Sequence, residues 1–495
     1  MSGRRALPAA PARRGWCPGL ARPMPTGDGL LARIHPPLGV LSLAQMRAVA
    51  SAAREHGNGH VDVTARGNLQ IRGARPETQG PLAEALAALG LGDTRGDGGP
   101  QRLTLTSPLC GLSPDALIDG HAVAARIEAL GRRVAPLPAK TLVAVEAGGA
   151  CDLPGIEADI HVRAVAPGRA AIGLATGTEP VWLGEQPEGA IPEAVADLLR
   201  AFARTGARRM RDLTDAERAA LPFLKAGEAE AHVGENRTRE TTVQAEARVP
   251  SPVRERDRVR VENCQSEAET EPLHRRDPFG HFSSLTPALS RTGEGACRGS
   301  HPCSEAGPSP AEGGGQRQPF AILAVDAPFG RCTADMLDRL ADAADGAGAS
   351  DIRLSPSRGF VLAVDPARAE TARARLAAEF VTDPGDPRRA VAACPGAPAC
   401  ASGSTPAPAD AALLAEAFRP FAARGLTAHV SGCAKGCAEP RRSALTLVAE
   451  GGLYGVVPGG AAGDPPVERL TIEAALERVR GAQTANLEDL FRTRP

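Results

Sequence analysis

The sequence predicts an α+β protein built from two copies of one module, each copy a small half-domain followed by a larger α+β part. A strand, helix, strand, strand order begins near Gly27 and returns near Phe320. A longer segment of mixed helix and strand character follows each copy. Between the copies, residues 227–318 are rich in Glu, Arg, Ser, Pro and Gly, a composition that predicts a disordered insertion or linker.

The elements of the two half-domains follow from apolar periodicity and capping residues. In the first copy Ser42 is a plausible N-cap for a helix that ends at His56. The strands predicted around that helix cover residues 27–34, 61–64 and 69–72. The second copy is predicted to have strands at 320–325, 352–355 and 359–362 and a helix at 334–345.

Two landmarks favour an internal duplication. A Pro-x-Gly turn follows the first strand of each copy, and each copy has an Arg-Gly pair. Gly39 and Arg66 are 27 residues apart, and Gly330 and Arg358 are 28 residues apart. Two such halves could pair into one pseudo-twofold sheet domain.

The larger parts also contain both helices and strands. The first is predicted to have strands at 103–108, 142–145 and 160–165 and helices at 114–130 and 191–205. After the second copy, helices are predicted at 367–380, 410–418 and 472–480 and a strand at 444–448. The glycine-rich stretch 459–463 lacks the setting of a dinucleotide fingerprint and is assigned to a turn.

Composition excludes some function classes. The 57 basic and 58 acidic side chains nearly cancel, so bulk charge gives no reason to expect nucleic acid or an anionic membrane as partner. The sequence contains no run of about 18 apolar residues, which argues against a spanning helix. Residues 1–20 carry arginines but no apolar signal region, so we expect a flexible tail and a cytoplasmic protein.

Four of the eleven cysteines stand in two tight pairs, Cys394 with Cys400 and Cys433 with Cys437. A cubic iron–sulfur cluster needs four thiolates that converge from flexible spacers. The five-residue spacer of the first pair is long for zinc, and structural disulfides need an oxidising compartment. The spacing favours an iron–sulfur cluster over zinc, disulfides or unrelated buried thiols.

These cysteines and the duplicated half-domain resemble the sirohaem-dependent nitrite and sulfite reductase superfamily. Residues 64–70, Thr-Ala-Arg-Gly-Asn-Leu-Gln, are similar to its Thr-x-Arg-x-x-x-Gln turn, and residues 137–140 to its Leu-Pro-x-Lys segment. The resemblance implies a [4Fe-4S] cluster on the four cysteines, a tetrapyrrole facing Arg66, and Lys140 pointing into the active site. It also implies ferredoxin-like half-domains.

With that resemblance, the predicted domains are a flexible N-terminal tail, a first ferredoxin-like half-domain, a sirohaem-reductase-like α+β domain, the disordered insertion, a second half-domain and an iron–sulfur-binding α+β domain. In the same order they cover residues 1–20, 21–78, 95–226, 227–318, 319–385 and 386–495.

Further motifs resemble the precorrin-3B synthases, the oxygen-dependent branch of this superfamily. The motifs lie at residues 14–19, 24–33, 57–59, 354–358 and 429–437. The resemblance implies oxygen-dependent hydroxylation of precorrin-3A with lactone formation, and an external electron donor. Leu142 stands where sulfite-reducing members have a second Lys, which argues against a small oxyanion as substrate. Ser357 replaces a Trp of the superfamily's second-copy turn.

The resemblance and the chemistry of carboxylate binding select the candidate site residues. Lys140 and Arg66 are the candidate catalytic residues. The candidate substrate-binding residues are Arg33, Arg66, Asn68, Gln70, Arg72, Lys140, Arg358 and Lys435.

The resemblance also implies a second, oxygen-activating iron, either mononuclear non-haem iron or a sirohaem. His429 is attractive as a ligand because it lies four residues before Cys433, although a lone His is more often structural. His35, His60, His121 and His161 are equally open.

Two other functions are carried as alternatives. One is a sirohaem-dependent nitrite or sulfite reductase. The other is a non-catalytic iron–sulfur or zinc protein that binds a tetrapyrrole or senses redox state.

Overall fold

The computed structural model describes residues 17–222, 319–481 and 491, apart from 135, 154 and 178. The predicted insertion at 227–318 and most of the predicted tail lie outside the described residues.

The first module begins with a half-domain of strands and two helices. Its elements are β1 (Met24–Thr26), β2 (Gly29–Ile34), β3 (Val40–Ser42), α1 (Leu43–His56), β4 (His60–Val63), β5 (Leu69–Ala74) and α2 (Pro76–Ala87). The larger part, which we call domain I, contains β6 (Thr104–Thr106), α3 (Gly120–Gly131), β7 (Val143–Glu146), β8 (Ile160–Ala166), β9 (Arg169–Leu174), β10 (Val181–Pro187), α4 (Ile191–Thr205) and α5 (Asp215–Ala219).

The second module repeats this order. Its half-domain contains β11 (Ala321–Asp326), β12 (Arg331–Thr333), α6 (Ala334–Gly346), β13 (Asp351–Ser355), β14 (Gly359–Val364) and α7 (Ala369–Leu376). The larger part, domain II, contains β15 (Val391–Ala393), α8 (Ala407–Ala422), β16 (Ala428–Ser431), β17 (Ser443–Glu450), β18 (Leu453–Gly460), β19 (Glu468–Leu470) and α9 (Ile472–Gly481).

The two half-domains exchange strands around one hydrophobic core. Strand β12 of the second half pairs antiparallel with β4 of the first, and β3 of the first pairs antiparallel with β13 of the second. Helices α1 and α6 begin at equivalent N-caps, because the Ser42 and Thr333 hydroxyls each accept from the backbone N–H three residues later. The predicted pseudo-twofold pairing is present. It consists of two separate sheets, each of which includes one strand from the other half-domain, rather than one continuous sheet.

Domains I and II have the same topology, so the duplication covers whole modules. The sheet orders are β6-β7-β8-β9-β10 in domain I and β15-β16-β17-β18-β19 in domain II. In each sheet the first three strands run parallel and the last two pairings are antiparallel. A helix, α3 or α8, connects the first two strands, as a parallel connection requires.

The internal duplication was predicted correctly, but the prediction aligned Arg66 with Arg358, and the structure does not. Leu38 and Phe329 have φ 52° and 53°, so the two Pro-x-Gly turns are equivalent. In the next turn Gly67 donates to the Thr64 carbonyl and Arg358 to the Ser355 carbonyl, and both have positive φ. Arg358 therefore occupies the position of Gly67, and Arg66 that of Ser357. The two arginines are one residue out of register and do not recur at one site.

Several element boundaries also differ from the predictions. Helix α3 begins at Gly120 rather than 114, because Asp119 accepts from the Ala122 N–H and caps it there. Helix α7 is shorter than the predicted 367–380. Strand β18 includes Gly459 and Gly460, so only the end of that glycine-rich stretch lies in a turn. Among the described helices, none is long and apolar enough to cross a membrane.

Candidate functional site

The sheet of domain II brings the two cysteine pairs together. Cys394 follows β15 directly, and Cys433 comes two residues after β16 ends. Because β15 and β16 are adjacent parallel strands, their carboxyl ends meet at one edge of the sheet. Cys400 and Cys437 lie further along the same two loops. The strand order, not sequence proximity, therefore gathers the four thiols.

Glycines let the two cysteine loops approach closely. The Gly432 N–H donates to the Cys394 sulfur at 3.0 Å. A Cβ on Gly432 would lie 3.2 Å from that sulfur and 3.1 Å from the Gly396 Cα. A side chain at this point would push the loops apart, so the contact requires glycine. The opposite loop contributes Gly396, which has φ 62°.

The donor set fits an iron–sulfur cluster. Four thiols are the ligands that such clusters use, and the backbone donor to Cys394 is the kind of hydrogen bond that supports a thiolate. Burial raises the pKa of Cys394 and of Cys437, so a bound cation is needed to hold them deprotonated. Within the described residues, no three His, Cys, Asp or Glu side chains are placed to share one metal ion.

The buried side chain of Arg72 ties the first half-domain to the first cysteine loop. Its guanidinium lies 2.7 Å from the Asp28 carboxylate and 3.3 Å from the Asp62 carboxylate. It also donates to the carbonyl oxygen of Ala399, the residue before Cys400. Since protein acceptors already surround this guanidinium, the geometry supports a positioning role for Arg72 rather than the predicted contact with substrate carboxylates.

A row of polar side chains crosses the sheet face that lies towards domain II. The row follows the cross-strand pairs Arg33 with Gln70, Gln70 with Asp62, and Asp62 with Arg331. When the Gln70 amide is turned so that its oxygen faces Arg33, two nitrogens of Arg33 donate to that oxygen, at 2.9 and 2.6 Å. Arg331 donates to Asp62 at 2.7 Å. The predicted residues Arg33 and Gln70 therefore lie side by side, in contact with each other.

Next to this row, a positively charged corner surrounds Arg66. Arg102 is buried and donates to the carbonyls of Pro36, Gly67 and Arg66. Burial, with Arg33 and Arg102 nearby, lowers the pKa of His35 to about 3, so this imidazole is neutral at ordinary pH. Its Nδ1 atom is buried and without a hydrogen-bond partner. An orphaned polar atom beside guanidinium groups is suited to a polar ligand.

A cavity of ≈ 340 Å³ lies where both modules meet. Arg66 and Arg358 line it, together with Ala393 and Ala438, the neighbours of Cys394 and Cys437. The lining also includes three arginines that pair with carboxylates, namely Arg388 with Asp386, Arg389 with Asp326 and Arg441 with Glu439. Five arginines against three acidic groups, Glu157, Asp326 and Glu439, make this a cationic cavity next to the cysteine site.

The other predicted site residues differ in their exposure to solvent. Lys140 is exposed in the turn before β7. Lys435 is exposed and lies 3.4 Å from the Ser402 hydroxyl. Asn68 is buried, and its side-chain oxygen has no partner. Arg358 donates to the Ala438 carbonyl, one residue after Cys437.

Leu142 is buried in a small apolar cluster. The cluster contains Leu105, Leu142, Ala144, Leu153 and Ala158, with Ile156 packed against it. Ile156 also lines the cavity. The position where sulfite-reducing relatives have a second Lys therefore contributes to an apolar wall, and a charge there would be costly to bury.

His429 is fully buried in the middle of β16, and neither ring nitrogen has a partner. Burial lowers its pKa to about 4. A Cβ on Gly436, in the second cysteine loop, would lie 3.9 Å from its Cε1. The described residues contain no His and carboxylate triad for a mononuclear iron, so no histidine is assigned as its ligand.

Sequence reasoning missed Cys17, Asp62, Arg102 and Arg331 as members of this site, and named His35 only as one of several open candidates for an iron ligand. Cys17 lies close enough to Arg33 and Arg66 to influence the pKa of both. The Arg14 to Gly19 motif marked its neighbourhood, but nothing in the sequence indicated which half-domain face it would meet. Arg331 reaches the site only through strand exchange, which no local pattern predicts.

Comparison with known proteins agrees with this architecture. Residues 22–89 and 315–379 match the family described as nitrite/sulfite reductase ferredoxin-like half domain. The solved structure of Mycobacterium tuberculosis NirA protein superposes with a TM-score of 0.58, at 20% sequence identity, over 91% of this chain and 79% of NirA. At that identity the likeness shows a shared fold.

Relatives from two branches of the superfamily match very different shares of this chain. A precorrin-3B synthase from Sinorhizobium sp is 31% identical over 468 residues, which cover 92% of this chain and 84% of the relative. A ferredoxin–nitrite reductase from Leptolyngbya laminosa is 30% identical over 114 residues, only 23% of this chain. An Arabidopsis thaliana chloroplastic ferredoxin–nitrite reductase is 33% identical over 18% of this chain. The chain therefore belongs to the precorrin-3B synthase family, within the nitrite/sulfite reductase superfamily.

Proposed function

We propose that this protein is an oxygen-dependent precorrin-3A hydroxylase of cobalamin biosynthesis. The observation that carries the proposal is the similarity to a precorrin-3B synthase along almost the whole chain. In the reaction, one atom of molecular oxygen enters the macrocycle as a hydroxyl group and an acetate side chain closes a lactone. The other oxygen atom leaves as water, with two electrons and two protons from an external donor.

The substrate is a polycarboxylate, and the cationic cavity suits it. Arg66 and Arg358 reach the cavity from the turns of the two half-domains, and Arg33 lies on the adjacent sheet face. Guanidinium groups bind carboxylates through paired hydrogen bonds, which fix the orientation of the ring as well as its position. We assign these three residues to substrate binding, with Asn68 and Gln70 as neutral hydrogen-bonding partners.

Positioning and electron entry are assigned to different regions. Cys394, Cys400, Cys433 and Cys437 would hold a [4Fe-4S] cluster, which when bound supplies electrons one at a time. Arg72 and Arg358 hold the two cysteine loops through the Ala399 and Ala438 carbonyls. The loops are thereby fixed against the same half-domains that present the substrate-binding arginines.

Leu142 favours this function over the reduction of a small oxyanion. Nitrite and sulfite need concentrated positive charge, whereas Leu142 lies in an apolar cluster beside the cavity. A hydrophobic wall is suited to the face of a tetrapyrrole, whose charges lie at its periphery. Lys140, two residues earlier, remains a candidate for contact with a substrate carboxylate.

The test is a single-turnover assay with anaerobically purified, cluster-loaded protein. The protein is first reduced with dithionite under anaerobic conditions, the excess dithionite is removed, precorrin-3A and ¹⁸O₂ are then added, and the product is analysed by mass spectrometry. The expected product is precorrin-3B with one ¹⁸O atom. The Cys433→Ser variant is the control for non-enzymatic oxidation. Unchanged precorrin-3A, together with a sirohaem-type visible spectrum and reduction of nitrite or sulfite, would support the reductase alternative instead.

A further inference from the structure

Domain I contains a second pair of cysteines that the proposed function does not use. Cys110 and Cys151 are both completely buried and belong to the same hydrophobic core. They are 41 residues apart in the chain, yet their loops meet, since the Ser107 hydroxyl lies 3.5 Å from the Ala150 carbonyl oxygen, and each thiol shifts the pKa of the other. Two buried thiols in adjoining loops of one core differ from an isolated core cysteine.

The pair lies at the place in domain I that the cluster cysteines occupy in domain II. Cys110 is in the loop between β6 and α3, and Cys151 is in the loop between β7 and β8. The equivalent loops of domain II, between β15 and α8 and between β16 and β17, carry the two cluster pairs. Each domain I loop therefore retains one thiol where the domain II loop has two.

The Cys110 loop of domain I is held in place. The Arg353 guanidinium donates to the carbonyl oxygens of Cys110 and Pro108 at 2.7 and 3.2 Å. This contact parallels the one from Arg72 to Ala399 in the other module. A Cβ on Gly120 would lie only 3.0 Å from the Cys110 sulfur, so the space on that side is filled. The neighbouring thiol is therefore the natural reaction partner of Cys110.

We propose that Cys110 and Cys151 form a redox-active dithiol, which a peroxide converts to an intramolecular disulfide. The O–O bond of hydrogen peroxide breaks and one S–S bond forms. The two sulfurs are oxidised, the peroxide is reduced, and the two thiol protons leave in two molecules of water.

The local chemistry distinguishes the two sulfurs. The hydrogen bond from Cys110 lowers the pKa of Cys151, while that hydrogen bond and burial raise the pKa of Cys110. Cys151 is thus the attacking thiolate, and Cys110 resolves the sulfenic acid that forms. Because both sulfurs are buried, the reaction needs local opening of the turn Gly149–Cys151 and is slower than that of an exposed thiol.

The disulfide would act on the cavity through one loop. The residues after Cys151 continue to Gly155, Ile156 and Glu157, which line the cavity. Oxidation would fasten this loop to the one that carries Cys110 and restrict its movement. The chemical step itself does not depend on the proposed function.

Tryptic peptides separate the relevant thiols. Cys110 is the only cysteine of peptide 103–126, Cys151 the only one of 141–163, and Cys332 the only one of 332–339. Cys332 is an internal control, because it is buried and burial raises its pKa, but no thiol partner contacts it among the described residues. The full-length protein is treated with hydrogen peroxide, denatured, alkylated with N-ethylmaleimide and digested without reduction.

We expect a disulfide-linked 103–126/141–163 species that dithiothreitol separates, while Cys332 is recovered in alkylated form. The linked species should be lost in both Cys110→Ala and Cys151→Ala, and retained in Cys332→Ala. Full alkylation of Cys110 and Cys151 after peroxide treatment would overturn the proposal. So would sulfinic acid on either residue without any linked peptide, or linkage of either residue to a cluster cysteine.

Discussion

The two half-domain sheets are built alike but present opposite chemistry. In the first, the row across the sheet is Arg33, Gln70, Asp62 and Arg331. The equivalent row in the second is Ala324, Val361, Arg353 and Val40. The polar row belongs to the sheet that contacts the cysteine loop of domain II, whereas Val361 and Ala324 pack into the hydrophobic core of domain I.

This difference shows how a duplicated fold can have a candidate functional site at only one of its two equivalent interfaces. The duplication creates two equivalent interfaces between a half-domain and a larger domain. One is closed mainly by apolar packing, and its buried Arg353 donates to the domain I carbonyls of Pro108 and Cys110. The other has a row of polar and charged side chains, and its thiols are in pairs rather than single. Binding and stability are thereby divided between two copies of the same architecture.

The largest effect is expected when one cysteine in each larger domain is replaced. We expect Cys433→Ser to lose most of its iron and sulfide and to have no hydroxylase activity, because a serine oxygen is a poor ligand for a cluster. Cys110→Ser should retain iron and sulfide at the level of the unchanged protein. Metal and sulfide analysis of both variants decides the matter. Equal iron loss in the two variants would contradict the assignment of the cluster to domain II.

The second test compares the arginines that hold the two cysteine-bearing loops. Arg72→Met leaves the Asp28 carboxylate without its arginine partner and leaves Asp62 with Arg331 alone, which costs about 3–5 kcal/mol. Arg353→Met should cost less, since Asp351 is more exposed than either of these carboxylates. Thermal unfolding of both variants measures the difference. A larger loss of melting temperature in Arg353→Met would refute the ranking.

The third test replaces a polar residue of the first half-domain sheet with the apolar residue found at the equivalent position of the second. Arg33→Ala introduces the residue found at position 324 and removes a charged hydrogen-bond donor worth about 1.5–3 kcal/mol. We expect precorrin-3A to bind about 10- to 100-fold more weakly, with cluster content unchanged. Arg33→Lys keeps the charge but not the paired donors, so its affinity for precorrin-3A should lie between those of the unchanged protein and Arg33→Ala. Equal affinity in all three proteins would remove Arg33 from the site.

The smallest effect concerns the equivalent turn positions Gly67 and Arg358. Gly67 has φ 58°, so Gly67→Ala should destabilise the protein by about 1 kcal/mol. Arg358→Gly relieves the same kind of strain but loses the hydrogen bond to Ala438, so its net effect on stability should be below about 1 kcal/mol. Melting temperatures test both. A strong loss of stability in Arg358→Gly would show that its side chain holds domain II in place.

Much of the fold could be predicted because its signals are local. The N-caps Ser42 and Thr333 belong to helices that begin as the apolar periodicity predicts, and the Pro-x-Gly turns mark equivalent points of both copies. The register between Arg66 and Arg358 could not be read from spacing, because one residue of offset is invisible until strand pairing and φ angles are known. The predictions missed short elements in every part of the chain, namely strands β1, β3, β9, β10, β12, β15, β16, β18 and β19 and helices α2 and α5.

The sequence by itself determined the duplication and the family and predicted a four-cysteine ligand set, since cysteine spacing and motif order are properties of the chain. Only the tertiary structure decided which sheet face meets the cysteines and that Arg331 crosses from the other half-domain. It also decided that Arg72 is occupied by protein acceptors, and that Cys110 and Cys151 lie in adjoining loops of one core. Each of these depends on contacts between residues far apart in the chain. Local propensity does not encode such contacts, which burial and strand pairing determine.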